Sequence, residues 1–437
     1  MRCFLGFLLL LVFCFANASL ETPIHIELWS LPNGANAYFV RAPQIPMVDI
    51  NVVFAAGSIH DGNSLGLASF VNAMLNEGTE KHSANQLSDG FDSVGAAVGG
   101  NVNQDMSTIN LRSLTERKYF LPALELFTEM INQPAFPSDA IQRVKNQTIS
   151  SIEIDAQTPS EIASKAFYHL IYGNFPYGHS PDGTVDSVKQ ITETDIRQFY
   201  QRYYVGKNTS IILVGDLTRE QAESIAKKLV GTLPSGEASP KFSTAENTST
   251  ADKKFIPLTV KQSTILIGQI GIGPNDPNYF PLILGNQILG GAPLSSLLFE
   301  KVRSQHGLVY DISSTFSTLQ YRGPFVIALQ TRTDQAKKAL AMTQNILQQF
   351  VNDGPTSQQL KAAQQNLVGA FPLAISTNAD ILAVVLKIGF YHLPLDYLNH
   401  YVEHVESVTV PQIKSAWQKT IHPASMKMVV VGKQNSM

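Results

Sequence analysis

The sequence predicts an α+β protein made of two similar domains, and three observations carry that reading. Strand-like and helix-like segments alternate without a regular βαβ rhythm, which favours mixed layers over a doubly wound parallel sheet. A polar, turn-rich stretch from Leu233-Pro234-Ser235-Gly236 to Glu246-Asn247-Thr248-Ser249-Thr250 has no apolar period and divides two segments of similar length. Each segment then follows the same plan: an early β-branched strand, a glycine-containing turn, an apolar-periodic helix, and a closing strand that ends in Val-Gly. The closing strands are Ser210-Ile211-Ile212-Leu213-Val214-Gly215 and Met428-Val429-Val430-Val431-Gly432. The similarity is weak residue by residue, and two copies of this size read as a duplicated domain, not as a repeat array.

In chain order, residues 1–18 come first as an export signal. Met1-Arg2-Cys3 precedes an apolar run from Phe4 to Phe15 and the small-x-small site Ala16-Asn17-Ala18. The run is shorter than the roughly 20 residues needed to cross a bilayer. Both cysteines, Cys3 and Cys14, fall inside it, so the mature chain is expected to hold no disulfide and to work in a periplasm or outside the cell. The bulky Phe13 before Cys14 argues against a lipid-modified cysteine.

The first domain is expected over 19–232. Asp49 to Phe54 alternates as a half-buried strand, and Leu65–Leu75 has helical spacing, as do Glu116–Ile131 and Ser160–Tyr172. A linker over 233–254 follows, then a second domain over 255–437. There Ser263–Gly268 reads as a strand, Asp334–Phe350 as a long helix, and Ser357–Ala370 as a helix stopped by Pro372. No later segment is long and apolar enough to span a membrane.

Length and charge narrow the function. At 437 residues the chain exceeds one domain of roughly 100 to 200 residues. The hydrophobic share of 44 % is that of a folded protein. With 32 basic against 35 acidic side chains, no net positive field exists to gather nucleic acid.

The segment Gly57-Ser58-Ile59-His60-Asp61-Gly62-Asn63-Ser64-Leu65-Gly66-Leu67-Ala68-Ser69-Phe70-Val71-Asn72-Ala73-Met74-Leu75-Asn76-Glu77-Gly78-Thr79 resembles the active-site helix of the pitrilysin (insulinase-like) zinc-peptidase family. That family carries Gly-Leu-Ala-His-x-x-Glu-His-Met-Leu-x-x-Gly-Thr. Its two histidines bind zinc from one helical face, and the glutamate between them polarises the attacking water. Here those positions are Ser69, Asn72 and Ala73. A hydroxyl and a methyl cannot replace two imidazoles, and an amide is no general base near neutral pH. The family's third ligand, a glutamate on a later helix, falls at Ser151 or a neighbour; Glu153 lies on a different helical face. The resemblance therefore implies a zinc-motif-lacking chain with no metal of its own.

A literal His-x-x-Glu-His does occur at His400-Tyr401-Val402-Glu403-His404. Glu406 points off the face that carries the two rings, and only His422 remains as a possible third ligand. The segment matches the family's late helix before Val408-Thr409-Val410-Pro411-Gln412-Ile413, where the family does no chemistry. Two exposed histidines beside an acidic residue are the preferred reading, and an autonomous zinc peptidase built on them is the rival.

Leu289-Gly290-Gly291, Ser295-Ser296-Leu297 and Arg303-Ser304-Gln305-His306-Gly307-Leu308-Val309-Tyr310 are similar to the family's C-terminal signature. In active members its arginine and tyrosine hold the substrate carbonyl, which assigns that role here to Arg303 and Tyr310. Gly95-Ala96-Ala97-Val98-Gly99-Gly100-Asn101-Val102 lacks the Lys-Ser/Thr ending of a phosphate loop. In family terms it is the edge strand on which substrate backbone is laid, with Gly99, Gly100 and Asn101 as contact residues. Tyr172-Gly173-Asn174-Phe175-Pro176-Tyr177-Gly178 and Tyr203-Tyr204-Val205-Gly206 extend the likeness across most of the chain.

The resemblance implies a duplicated fold, each domain a mostly antiparallel sheet packed with helices. Bacterial members of this size often pair a zinc-bearing chain with one that keeps the Arg/Tyr pair, and the mitochondrial processing peptidase likewise joins an active and an inactive subunit. The expected function is thus that of a non-catalytic, substrate-binding subunit whose partner, a zinc-bearing paralogue in a heterodimer, supplies the zinc for peptide hydrolysis. The alternative from another class is a peptide-binding or scaffolding protein.

Overall fold

The computed structural model describes residues 24–248 and 250–433; the expected export segment, with Cys3 and Cys14, lies outside them. The first sheet contains β1 (Glu27–Ser30), β2 (Asn36–Arg41), β3 (Met47–Phe54), β4 (Ala97–Val102), β5 (Ser107–Leu114) and β6 (Thr209–Gly215). Their order is β1-β2-β6-β3-β5-β4. The second contains β7 (Asp252–Pro257), β8 (Gln262–Ile270), β9 (Asp311–Phe316), β10 (Pro324–Arg332) and β11 (Lys427–Gly432), in the order β7-β11-β8-β10-β9.

Without β1, the two orders match strand for strand. Parallel pairing falls at the same place in both, β2 with β6 and β7 with β11, and the remaining neighbours are antiparallel. The closing strands β6 and β11 become inner strands because their apolar runs, Ile211 to Val214 and Val429 to Val431, are fully buried. The duplication is therefore topological, and the fold is α+β, mostly antiparallel and packed with helices, as expected.

The two halves are joined by exchanged helices. The helix Pro159–Tyr172 lies against β8 and β11 of the second sheet, while the helix Asn378–Phe390 lies against β3 and β6 of the first. Gly268 on β8 leaves room for Phe167, whose ring tip would stand 2.9 Å from a Cβ there. In the opposite exchange, Gly389 makes room for the ring of Tyr38, whose hydroxyl bonds the Gly389 carbonyl at 3.3 Å. Each exchange buries a mixed cluster, Phe167, Ile171, Ile270 and Val429 in one, Tyr38, Ile212, Leu382 and Val385 in the other. Burial of a phenylalanine-sized side chain contributes about 1.5–3 kcal/mol, so the halves are held as one body.

Two expectations gain detail. The stretch 233–254 is tied down along its course: Ser239 bonds Asn208 through its N–H at 2.7 Å and Ala55 through its hydroxyl at 2.6 Å. Asn247 clasps Ile270 at both N–H and carbonyl, each at 2.8 Å, and β7 begins within the stretch at Asp252. The helix expected over Leu65–Leu75 is shorter, Leu67–Met74, because Gly66 turns left-handed (φ 91°) before it. Among the described residues no single helix is long and apolar enough to cross a membrane.

Candidate functional site

Asp61 sets the start of the helix Leu67–Met74. Its buried carboxylate accepts the N–H groups of Gly66 and Ala68, both at 2.8 Å, which satisfies donors that a helix start leaves open. His179 meets the same carboxylate at 3.1 Å. Burial pushes the Asp61 carboxyl above its ordinary range, against the pull of His179 and the two amides.

The three positions of the degenerate motif have structural employment or none. Ser69 donates its hydroxyl to the Pro181 carbonyl at 2.8 Å. Asn72 is buried, and its amide nitrogen donates to the Ser107 hydroxyl at 2.8 Å and to the Thr108 carbonyl at 3.1 Å. Ser107 meets the Tyr204 hydroxyl at 2.8 Å. Ala73 is exposed and offers only a methyl group. Ser151 stands exposed on the helix Ser138–Asp155, and Glu153 is exposed there too. That helix is tied to the first by Arg143, whose guanidinium grips Glu77 at 3.1 and 2.5 Å.

A zinc ion does not fit this donor set. Zinc takes thiolate, imidazole or carboxylate ligands, whereas the site presents a hydroxyl directed at a carbonyl, an amide spent on two acceptors, and a methyl. Among the described residues no group of three or more His, Cys, Asp or Glu side chains is placed to hold a metal ion. The His400–His404 pair follows suit. His400 precedes the helix Tyr401–Ser407 and turns its two ring nitrogens to Glu403 (3.1 Å) and Asp396 (3.4 Å). His404 packs on Phe280 with centroids 4.9 Å apart, and the two imidazole rings are separated by 6.3 Å.

Gly99, Gly100 and Asn101 lie on β4, which with β1 forms the two edges of the first sheet. Gly100 must be glycine, since a Cβ there would fall 2.4 Å from the Asn72 side-chain oxygen. Asn72 thus anchors the helix to β5 and directly underlies the edge strand. β4 carries no charged side chain, whereas β7, an edge of the second sheet, carries Asp252, Lys253 and Lys254. Charges are a usual guard against strand addition.

Arg303 lies in the π-helical stretch Phe299–Gln305, its guanidinium 4.9 Å above the Phe299 ring. Tyr310 is 49 % exposed just before β9, held by its N–H to the Gln330 carbonyl at 2.8 Å. Both side chains face solvent, and neither makes a hydrogen bond or ion pair with the first half among the described residues. Among the described residues no hydrogen bond or ion pair joins the Arg/Tyr pair to the degenerate helix.

Asp105 is a residue that no local pattern singles out. This residue lies in the turn between β4 and β5 and is 2 % exposed. It accepts hydrogen bonds from the Tyr177 hydroxyl, from the Tyr391 hydroxyl at 2.9 Å and from the Gln320 N–H at 2.9 Å. Gln320 sits in the β9–β10 turn, the counterpart of Asp105's own turn, so one carboxylate joins corresponding hairpins of the two halves. Burial pushes this carboxyl up, against the pull of its three donors.

Comparison with known proteins adds the following. The family model described as "Insulinase (Peptidase family M16)" matches residues 38–183, and "Peptidase M16 inactive domain" matches 190–367. A crystal structure of a peptidase M16 inactive domain from Pseudomonas fluorescens superposes with a TM-score of 0.90 at 36 % identity, covering 94 % of this chain and 98 % of that one. A Helicobacter pylori protein named "Non-peptidase homolog YmxG" is 27 % identical over 421 residues, 94 % of each chain. A Bacillus subtilis protein named "Uncharacterized zinc protease YmxG" is 24 % identical, covering 82 % of this chain and 86 % of that one.

Proposed function

This chain belongs to the M16, insulinase-like peptidase family, and from that premise we propose that it is a non-catalytic member that binds peptide for a zinc-bearing partner. The observation that carries the proposal is the commitment of Asn72. At the family's general-base position it spends its amide on Ser107 and Thr108, while Ser69 is spent on Pro181. The printed names of the Helicobacter and Pseudomonas relatives, a non-peptidase homologue and an inactive domain, agree with this reading.

In the proposed heterodimer the zinc and its water-activating glutamate belong to a family paralogue. This chain contributes Arg303 and Tyr310, a planar guanidinium fork and a phenol suited to a peptide carbonyl or its developing oxyanion. Both are exposed, and neither the Arg303 guanidinium nor the Tyr310 hydroxyl makes a hydrogen bond among the described residues, although Tyr310 lies within electrostatic reach of Arg332; this leaves their donors available to a group from outside the chain. Peptide backbone would add along β4, whose uncharged Gly99-Gly100-Asn101 edge admits close approach. The complex would act in the periplasm or outside the cell, following the export segment expected over residues 1–18.

The open edge of β4 also favours a second reading, a peptide-binding or scaffolding protein with no part in catalysis. Reconstitution with a zinc-bearing paralogue separates the two. Under the first reading Arg303→Ala lowers peptide turnover by about tenfold to a thousandfold, the usual scale for losing an oxyanion donor, without loss of assembly. Unchanged turnover would leave the scaffold.

A further inference from the structure

A second site shares no residue with β4 or the Arg/Tyr pair. A pocket of roughly 590 Å³ opens where the Asn247 strap, the β9–β10 turn and the end of the helix Val410–Thr420 meet, lined among others by Asp276, Arg322, Lys419, His422 and Ser425. Its volume is in the range of small-molecule sites, about 300–1,000 Å³.

Arg322 holds a left-handed backbone conformation, φ 74°, which only glycine adopts without strain. The conformation is fixed from three sides. The Arg322 N–H bonds the Leu319 carbonyl at 3.1 Å, its carbonyl accepts from the Tyr172 hydroxyl at 2.9 Å, and its Nε donates to the Gly271 carbonyl at 2.9 Å. The stem is thereby locked while both terminal nitrogens lack a partner among the described residues. Lys419 and the His422 ring are likewise unpaired among the described residues. His422 is held in place by its backbone N–H, which donates to Gln269 Oε1 at 2.8 Å. The one lining carboxylate, Asp276, already accepts the Asn278 N–H at 2.8 Å. Two permanent cations, Arg322 and Lys419, against one carboxylate among the described lining residues leave the pocket net positive before His422 is considered.

We infer that this pocket binds a small organic anion through Arg322 and Lys419, taking a carboxylate or phosphate oxygen pair on the guanidinium fork. Such a fork recognises either group in two parallel hydrogen bonds. A strained arginine where glycine would sit freely marks a position at which the side chain, and not the backbone, suits the ligand. This inference stands apart from the proposed peptide-binding role.

The test is calorimetric titration of the purified chain with inorganic phosphate and with N-acetyl-trialanine as the free acid, using N-acetyl-trialanine amide as the neutral control. At least one of the two anions should bind with a Kd of about 1 mM or tighter, and the amide should not; which anion binds identifies the source chemistry. Arg322→Gly keeps the left-handed turn and Lys419→Ala changes an exposed side chain, so both variants should fold with an unchanged or raised Tm. Each should weaken anion binding by about tenfold. Absence of binding by either anion at about 10 mM, equal binding of the amide, or unaltered affinity in both variants would overturn the inference.

Discussion

The side-chain amide of Asn72 donates to the hydroxyl of Ser107 at 2.8 Å, joining the helix Leu67–Met74 to the first residue of β5. At this position active family members are expected to carry a glutamate that handles a proton. Here the same position holds sheet and helix together, and Gly100 closes over it.

Restoring the motif on paper does not restore the site. The triple variant Ser69→His, Asn72→Glu, Ala73→His is expected to bind no stoichiometric zinc. Ser69 faces the Pro181 carbonyl, the Asn72 side chain already lies within contact distance of Gly100, and the third-ligand position holds the hydroxyl of Ser151, which is exposed on the helix Ser138–Asp155. Metal analysis of the purified variant checks this; one zinc per chain would show that the lost ligands were the only obstacle.

Gly100→Ala should destabilise the chain by about 1–3 kcal/mol, the cost of overpacking a filled site. The added methyl would meet Asn72 Oδ1 at 2.4 Å, so either β4 lifts or the Asn72 bonds break. Urea unfolding measures the loss, and pairing the change with Asn72→Ala should recover part of it.

Loss of the buried Asp105 carboxylate removes the acceptor of two buried tyrosine hydroxyls and of the Gln320 N–H. Asp105→Ala should cost about 3 kcal/mol and Tyr391→Phe, which removes one donor, about 1 kcal/mol. Hydrogen exchange should quicken in both hairpin turns, 103–106 and 317–323, in the first variant. Exchange confined to one turn would mean that the carboxylate does not couple the halves.

His60 gives the fold an acid-sensitive element. Its ring stacks on Tyr203 at 4.6 Å and meets Phe242 at 5.6 Å, with Nδ1 buried and without a partner. Burial first, and then the charge of Arg202, lower its pKa from 6.5 to about 4. The unfolded chain binds this proton more readily than the folded one. The stability associated with neutral His60 is therefore complete above pH 6.5, falls as pH drops towards about 4, and levels off below that. The loss is at most about 3 kcal/mol. The difference in unfolding free energy between the wild type and His60→Phe, followed from pH 7 to pH 4, should carry this slope; a flat difference would remove the assignment.

Much of the architecture was legible because apolar periodicity marks elements wherever they pack. The strand at Asp49–Phe54, the helix at Ser357–Ala370 and the paired closing strands follow from local pattern alone. The exchange of helices between halves did not, since the apolar face of Pro159–Tyr172 reads the same whichever sheet it covers. The anchoring of 233–254 was not visible, because polar composition conceals bonds such as those of Asn247 to the Ile270 backbone. At the site, the frame around Ser69, Asn72 and Ala73 was visible, but their new partners Pro181, Ser107 and Thr108 are remote in sequence. Asp105 is one aspartate in a turn, and nothing local distinguishes it from a solvated one.

The central claim is tested most directly by the zinc content and peptidase activity of the purified mature chain, alone and reconstituted with a zinc-bearing paralogue. The account predicts neither zinc nor hydrolysis in the isolated chain and both in the mixture. Stoichiometric zinc with peptide hydrolysis in the chain alone would contradict it.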